Sequence, residues 1–269
     1  MSQDEFATPE PFRVDIPERV LSDLDERLRK ARWPTAVAAA DPLSWPYGCD
    51  LDALRELVDY WRHAYDWRQA EAALNRYPQY LVDIDGQRLH FIREPATPGP
   101  DGAPAALPLV LTHGWPGSTL EFMEIVDLLA HPERHGGSEI DAFDVVVPTL
   151  PGYGFSGPPI RDAGNGTRGA GPIGPRAIAG LWHRLMTERL NHVGPYAAQG
   201  GDWGAIVTSW LGYDHPWSGR DGESGTIGIH LNMAGFRPGL DERKADLSAG
   251  GRGGLGGAAG GGGRGNAEE

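Results

Sequence analysis

One glycine-rich stretch carries an aspartate in a position suited to covalent chemistry. Asp202 lies within Gly200-Gly201-Asp202-Trp203-Gly204, between a segment that predicts a buried strand and one that predicts a helix. Small residues let a strand-to-helix turn bend sharply and raise the central side chain above the sheet. A free aspartate has a pKa of about 4 and is a carboxylate at neutral pH, and a helix amino terminus stabilises that charge. Such a carboxylate can attack an sp3 carbon, as in an epoxide or alkyl halide, to form an ester. The structural alternative is a glycine-rich turn whose aspartate only caps the helix.

The segments around this turn predict an α/β fold. Short apolar runs that predict buried strands alternate with helix-like segments; the strand runs are residues 109–112, 143–148, 193–198 and 225–232. The helices between them are a segment capped by Ser118 that carries Leu120, Ile125, Leu128 and Leu129, a segment from about 176 to 191 that buries Ile178, Leu181, Trp182 and Leu185, and residues 205–211. This alternation predicts a mainly parallel sheet with helices on both faces. An Asp85-Gly86 turn predicts a hairpin ahead of these elements.

Two amphipathic helices are predicted near the amino terminus. Asp15, with Glu18 three residues later, resembles a capping box that begins the first helix. The second helix is predicted over residues 51–75. Neither helix has a core of its own, so residues 1–78 are predicted to form a helical extension that wraps a core domain of residues 79–240.

The composition limits which partners we expect the protein to bind and which compartment we expect it to occupy. A net charge of −13 makes nucleic acid an unsuitable partner. The single cysteine, Cys49, excludes an internal disulfide and fits a reducing compartment, so we expect a cytoplasmic protein. Residues 1–13 are polar and predict neither a signal peptide nor a membrane anchor. No metal or cofactor site is expected, and the sequence does not fix the oligomeric state.

The last part of the chain has a different composition. Residues 250–265 are nearly all glycine, alanine and arginine, so residues 241–269 are predicted to be a disordered tail. The hydrophobic pattern stops abruptly before this tail. Our hypothesis is that the reading frame shifts near Asp246, and the downstream DNA would test it.

Four motifs, taken in order, resemble the microsomal-type epoxide hydrolases of the α/β-hydrolase superfamily. They are the segment 11–92, His113-Gly114-Trp115-Pro116-Gly117-Ser118, Leu150-Pro151-Gly152-Tyr153-Gly154-Phe155-Ser156, and the Asp202 motif. The resemblance covers roughly residues 8–240 and implies an α/β-hydrolase fold, with a small hydrophobic epoxide and water as substrates.

The resemblance also implies a role for each motif residue. Asp202 would be the nucleophile, and the backbone N–H groups of Trp115 and Trp203 would form an oxyanion hole. The Trp115 side chain is alternatively a core aromatic. Support for the two turns would come from the remaining motif residues, which are His113, Gly114, Pro116, Gly200, Gly201 and Gly204. We favour a structural role over a catalytic one for His113.

Other parts of the family's site are not found in this sequence. The resemblance implies that the general-base histidine, its acid and the ring-opening tyrosines follow later in the chain than residue 240. After Asp202 the histidines are His215, in an expected surface loop, and His230, in an expected strand, and neither has the family's base position. We therefore expect a core that is incomplete at the carboxyl terminus and that forms the ester at most, without useful turnover.

Three other interpretations stay open. A haloalkane dehalogenase also uses an aspartate on this fold, although it lacks the amino-terminal segment, and halide release would identify it. A non-catalytic binding domain would be a folded, soluble monomer that binds epoxides or diols without turnover. A damaged gene product with no function would be favoured by a recoverable downstream reading frame.

Overall fold

A computed structural model of the protein describes residues 8–35, 45, 48–102, 105–162 and 168–233. The strands are β1 (Glu10–Phe12), β2 (Gln79–Ile84), β3 (Gln87–Glu94), β4 (Leu107–Thr112), β5 (Phe143–Pro148), β6 (Ile160–Asp162), β7 (Arg168–Ala170), β8 (Pro195–Gly200) and β9 (Gly225–Leu231). The helices are α1 (Glu18–Arg29), α2 (Leu51–His63), α3 (Trp67–Leu74), α4 (Val126–Ala130), α5 (Pro175–Arg184) and α6 (Trp203–Asp214). The predicted disordered tail, 241–269, and the proposed frame shift near Asp246 lie outside the described residues.

Seven strands form one sheet in the order β1-β2-β3-β5-β4-β8-β9. The pairs β1-β2, β2-β3 and β3-β5 are antiparallel. The pairs β5-β4, β4-β8 and β8-β9 are parallel. The sheet is therefore mixed. The predicted parallel arrangement describes its β5-to-β9 half, where crossover connections are needed, and the hairpin β2-β3 adds the antiparallel half.

The apolar core covers both faces of this sheet. In β5, Val146 belongs to the cluster beneath α5 and α6, whereas Val145 and Val147 belong to the cluster beneath α4. All three side chains are fully buried, as expected for a strand covered on both faces. The predicted inward positions of α5 and the residues after it are confirmed as core; they are Ile178, Leu181, Trp182 and Leu185.

The start of α1 differs from the predicted capping box. The residue before the helix is Pro17, and no side chain caps the first turn, so the pairing of Asp15 with Glu18 is wrong. The N–H of Ile16 instead donates to Oε1 of Glu71 at 2.7 Å. A carboxylate distant in sequence thus binds the segment just before α1, which a local pattern does not reveal.

The predicted second helix is two helices. The chain leaves α2 after His63, and Asp66 begins α3 by accepting a hydrogen bond from the N–H of Arg68 at 2.9 Å. Asp66 is a strong N-cap residue, and it competes with continuation of the helix. The 3.6-residue period continues across the break, which is why the pattern alone joined the two helices.

The segment after β4 is not the regular helix that was predicted. Ser118 does cap it, accepting from the N–H of Leu120 at 3.3 Å, but the next residues form a 3₁₀ turn, Thr119–Phe122, ahead of the short α4. A 3₁₀ turn has three residues per turn, so the helical stripe is broken. As a result Leu120, Ile125 and Leu128 are exposed.

Candidate active site

Asp202 stands at the tip of a strained turn between β8 and α6. Its backbone has φ 52° and ψ −123°, a left-handed conformation that L-residues rarely adopt. Gly200, two residues before Asp202, pairs with Thr112 of β4 on one side and Leu231 of β9 on the other. The turn therefore lies at the carboxyl ends of adjacent parallel strands, where α/β sheets bind their ligands.

Close packing around this turn explains two of the motif glycines. A Cβ on Gly204 would lie 2.8 Å from the carbonyl carbon of Thr112 and 2.9 Å from the carbonyl oxygen of His113. A Cβ on Gly114 would lie 2.7 Å from Oδ1 and 2.9 Å from Cγ of Asp202. The first glycine lets α6 press against the end of β4, and the second makes room for the aspartate itself.

Two backbone N–H groups act on the Asp202 carboxylate. The N–H of Trp115 donates to Oδ1 at 2.7 Å. Hydrogen bonding by the N–H groups of Trp115 and, to a lesser extent, Trp203 lowers the pKa of Asp202 below its ordinary value. Asp202 is therefore an anion at neutral pH, and the predicted oxyanion-hole donors meet on it.

His113 is buried under the same loop, with both ring nitrogens engaged by backbone. Its Nδ1 lies 3.0 Å from the carbonyl oxygen of Gly114, and the N–H of Leu150 donates to Nε2 at 3.1 Å. An Nε2 that accepts and an Nδ1 that donates define a neutral ring. Burial lowers the pKa of His113, which favours that neutral form. The ring thus connects the turn after β5 to the residue before Trp115.

The two tryptophan side chains do not pack in the core. Trp115 is 67% exposed and Trp203 is 45% exposed, so the alternative of a core indole at position 115 is wrong. Ile206, one turn into α6, is also exposed. The loop after β4 and the first turn of α6 therefore carry exposed apolar side chains.

The later histidines lie elsewhere in the fold. His215 follows α6 and stacks on His183, and His230 pairs across the sheet with Gln199. Over the described ranges, no histidine hydrogen-bonds to Asp202. In that part of the chain there is also no group of three histidine, cysteine or acidic side chains that could hold a metal ion.

Two side chains at this edge were not predicted from sequence. The amide of Asn232, which follows β9, lies against Gly201, and the carboxylate of Glu121 lies against Gly117. The charge of Glu121 also acts on His113. Asn232 carries one weak signal, its place as the last residue of the predicted strand 225–232. Glu121 carries none, because it lies in the segment that was predicted to be a regular helix.

Comparison with known proteins assigns a family to this fold and site. Residues 9–122 match the family described as epoxide hydrolase N terminus, and residues 108–218 match the family described as alpha/beta hydrolase fold. A Stigmatella aurantiaca protein named provisionally as an epoxide hydrolase is 43% identical over 83% of this chain. Epoxide hydrolase 1 of Sus scrofa is 34% identical over 83% of this chain. The structure of Aspergillus niger epoxide hydrolase superposes with a TM-score of 0.69 at 30% identity, covering 86% of this chain and 53% of that one.

The matches cover most of this chain but a smaller part of each relative. This chain spans 45% and 44% of the two relatives from Stigmatella and Sus, somewhat under half their length. None of the described helices is both long enough and apolar enough to cross a bilayer. The motifs that carried the resemblance all fall inside the matched residues. Over residues 9–218 the chain therefore belongs to the α/β-hydrolase fold proteins that begin with an epoxide hydrolase N-terminal region.

Proposed function

We propose that this chain opens epoxides by forming a covalent ester on Asp202. The observation that carries the proposal is the 2.7 Å hydrogen bond from the N–H of Trp115 to Oδ1 of a carboxylate held on a strained turn. A carboxylate with a lowered pKa is present as the anion at neutral pH and needs no base to activate it. The relatives' names support an epoxide as the substrate class.

In the first step the oxygen that Trp115 does not hold, Oδ2 of Asp202, attacks a carbon of the ring. A new O–C bond forms, the ring C–O bond breaks, and the electron pair goes to the ring oxygen, which takes a proton from water. The product is a hydroxyalkyl ester whose carbonyl oxygen, Oδ1, stays on the N–H group of Trp115. Donors that already face the reacting oxygen do not reorganise during the reaction.

In the second step water attacks the ester carbonyl and releases a diol. Negative charge then develops on Oδ1, where each backbone donor supplies about 3 kcal/mol of stabilisation. Within the described residues no imidazole hydrogen-bonds to Asp202, and we propose that water attacks there without a general base. We propose that the ester accumulates and that diol is released slowly or not at all.

The proposed substrate is a small hydrophobic epoxide. The loop after β4 and the start of α6, whose backbone holds the carboxylate, carry three exposed apolar side chains, Trp115, Trp203 and Ile206, and two of them are large aromatic surfaces. An aryl or alkyl substituent on the epoxide would leave water for these surfaces on binding.

Intact-mass measurement tests the ester directly. After incubation with styrene oxide, we expect a mass increase of one epoxide per chain, mapped by peptide analysis to the segment that contains Asp202. Asp202→Asn keeps a similar shape and a carbonyl acceptor for Trp115, and it should form no adduct. An unmodified wild-type protein, or an adduct that persists in Asp202→Asn, would contradict the proposal. Steady diol production by the wild type would contradict only the claim that the ester accumulates.

A further inference from the structure

We infer that Asn232 is a ligand-binding residue of the Asp202 site, whose amide hydrogen-bonds to the oxygen of the epoxide and of the hydroxyalkyl group derived from it. The inference rests on the proposed function, since it names a further contact to the same substrate. Position, packing and unused hydrogen-bonding capacity of the amide each support it.

The position follows from the register of the sheet. Gly200 pairs with Leu231, so the next residues, Gly201 and Asn232, are neighbours at the ends of β8 and β9. Asn232 is thus one residue from the level of Asp202 and lies on the side of β8 away from β4. Trp115 holds Oδ1 from the β4 side. Asn232 therefore borders the side of the nucleophile that Trp115 leaves open.

The packing shows that Gly201 makes space for this one side chain. A Cβ on Gly201 would lie 2.9 Å from Cγ and 3.0 Å from Nδ2 of Asn232, with Oδ1 closer still. Those three atoms are the nearest neighbours of the position. At Gly200 and Gly204 the nearest atoms belong to the backbone instead. Two of the motif glycines thus serve the turn, and Gly201 serves the amide of Asn232.

The amide has hydrogen-bonding capacity that the described residues do not use. The backbone N–H of Asn232 donates to the carbonyl oxygen of Gly200 at 3.4 Å, but its side-chain amide has no hydrogen-bond partner within the ranges described. Asn232 is also exposed, so a ligand can reach it. A primary amide offers two donors and one acceptor. Its Nδ2 can donate to the ring oxygen as the C–O bond breaks, while the proton that the oxygen finally receives comes from water.

Nuclear magnetic resonance on the intact chain tests this contact without requiring turnover. The protein is labelled with ¹⁵N-asparagine and ¹⁵N-tryptophan, and the Asn232 amide signal is assigned by its loss in Asn232→Leu. Styrene glycol, the unreactive diol of styrene oxide, is then titrated. We expect saturable shifts of the Asn232 amide and of the Trp115 and Trp203 indoles. The amide of Asn75 is the internal control, because it donates to the carbonyl of Val14 away from the site and should not shift.

The outcomes separate the two proposals. Shifted indoles with an unmoved Asn232 amide overturn this inference and leave the proposed function standing. Unmoved indoles, with no styrene oxide adduct on Asp202, overturn the proposed function and this inference together. Asn232→Leu, which has a similar size, should weaken diol binding about three- to tenfold, as expected for one lost hydrogen bond. Binding as tight as the wild type would overturn the inference.

A substitution at Gly201 tests the packing on which the inference depends. Gly201→Ala should displace the Asn232 amide, which is the exposed end of a side chain that can rotate, and should weaken diol binding as much as Asn232→Leu does, at little cost in melting temperature. Diol binding by Gly201→Ala as tight as that of the wild type would show that the amide does not lie against Gly201 in the bound protein and would overturn the inference.

Discussion

The imidazole rings of His183 and His215 stack face to face, with centroids 4.0 Å apart and planes 5° from parallel. His183 Nδ1 also lies 2.9 Å from the hydroxyl of Tyr196, a fully buried residue of β8. Burial first, and then the neighbouring His215, lowers the pKa of His183 to about 4, against a weaker opposing effect of Glu188. Burial also lowers the pKa of His215, opposed by Asp214. Both rings are therefore neutral at pH 7.

This pair predicts loss of stability in acid. Between the ordinary histidine pKa and about 4, the unfolded chain binds protons that the folded protein resists, so the free energy of unfolding falls as pH falls. Above the ordinary pKa these groups have no effect. The largest loss in the free energy of unfolding that each histidine can cause is about 1.4 kcal/mol per unit of pKa shift. Solvent screening makes the loss smaller for these half-buried rings. Urea unfolding from pH ~7.5 to ~4.5 measures the slope.

Variants isolate the contribution of the stack. His215→Gln removes one ring and should make the acid limb shallower, because His183 then has no neighbouring imidazole, while burial of His183 and His90 keeps part of the limb. His63→Gln, at the exposed end of α2, is the matched substitution that leaves the stack intact. An acid limb in His215→Gln as steep as in the wild type would show that the stack does not cause it.

The contact of α6 with β4 predicts a contrast between two glycines. Gly204→Ala should cost more than about 3 kcal/mol, since overpacking here pushes against the backbone of Thr112 and His113 rather than against a mobile side chain. Gly180→Ala, within α5, meets no atom within 4 Å and should be neutral or stabilising by up to about 1 kcal/mol. Chemical unfolding of the two variants side by side measures both. Equal stability of the pair would contradict the tight packing of α6.

The conformation of Asp202 predicts that function and stability oppose each other at this residue. Asp202→Gly and Asp202→Ala both remove the carboxylate, but only glycine is unstrained at φ 52°. We expect Asp202→Gly to be about 1–2 kcal/mol more stable than Asp202→Ala, which is the cost of the strained backbone. Thermal or urea unfolding of the two variants gives the difference. A glycine variant no more stable than the alanine variant would mean that the turn is relaxed.

A buried polar chain beneath the turn after β5 predicts a further loss. His90 Nε2 lies 2.9 Å from Oε1 of Gln79, and His90 Nδ1 lies 2.7 Å from the hydroxyl of Thr149. Thr149→Val leaves a buried ring nitrogen without a partner and should cost about 1–3 kcal/mol. Thr187→Val is the matched control, because its hydroxyl only bonds back to the carbonyl of His183 within the same helical segment. Similar unfolding midpoints for the two variants would show that the hydrogen bond between Thr149 and His90 does not stabilise the fold.

The sequence predicted the elements whose pattern is complete within a short window. The run 143–148 and the Asp85-Gly86 turn are confirmed as β5 and as the turn between β2 and β3, because burial on both faces and a turn dipeptide each leave a local trace. The strand before Asp202 is also present, although it is β8, Pro195–Gly200, two residues later than predicted. Glycine at its end hid the boundary.

Elements that depend on distant partners were missed. β1 has three residues and exists by pairing with β2 across more than sixty intervening positions, as in the partners Phe12 and Gln79. The ladder β6-β7 lies inside the stretch 157–174, whose glycine-rich composition is typical of a loop. Neither carries an alternating apolar pattern in its sequence.

The residues of the site likewise divide into those that local motifs revealed and those whose position depends on the pairing of distant strands. Asp202 and Trp115 are 87 residues apart, and the family resemblance implied that they meet. The structure shows that their motifs follow the adjacent parallel strands β8 and β4. From the sequence, Asn232 was predicted only to be part of a strand. Its place beside the Asp202 turn depends on the register between β8 and β9 and on the absence of a side chain at Gly201. Catalytic roles for the motif residues stay predictions until the adduct is measured.

The three residues of β1 have a practical consequence for anyone who handles the protein. They occupy the outer flank of β2, and Arg88 fastens them by bridging Glu10 and Asp83 at 2.9 and 2.8 Å. A recombinant version that starts after Phe12, or a fusion partner that pulls this strand away, would leave a row of amide and carbonyl groups on β2 open to another molecule. The choice of joining point at the amino terminus therefore decides whether a purified sample stays monodisperse.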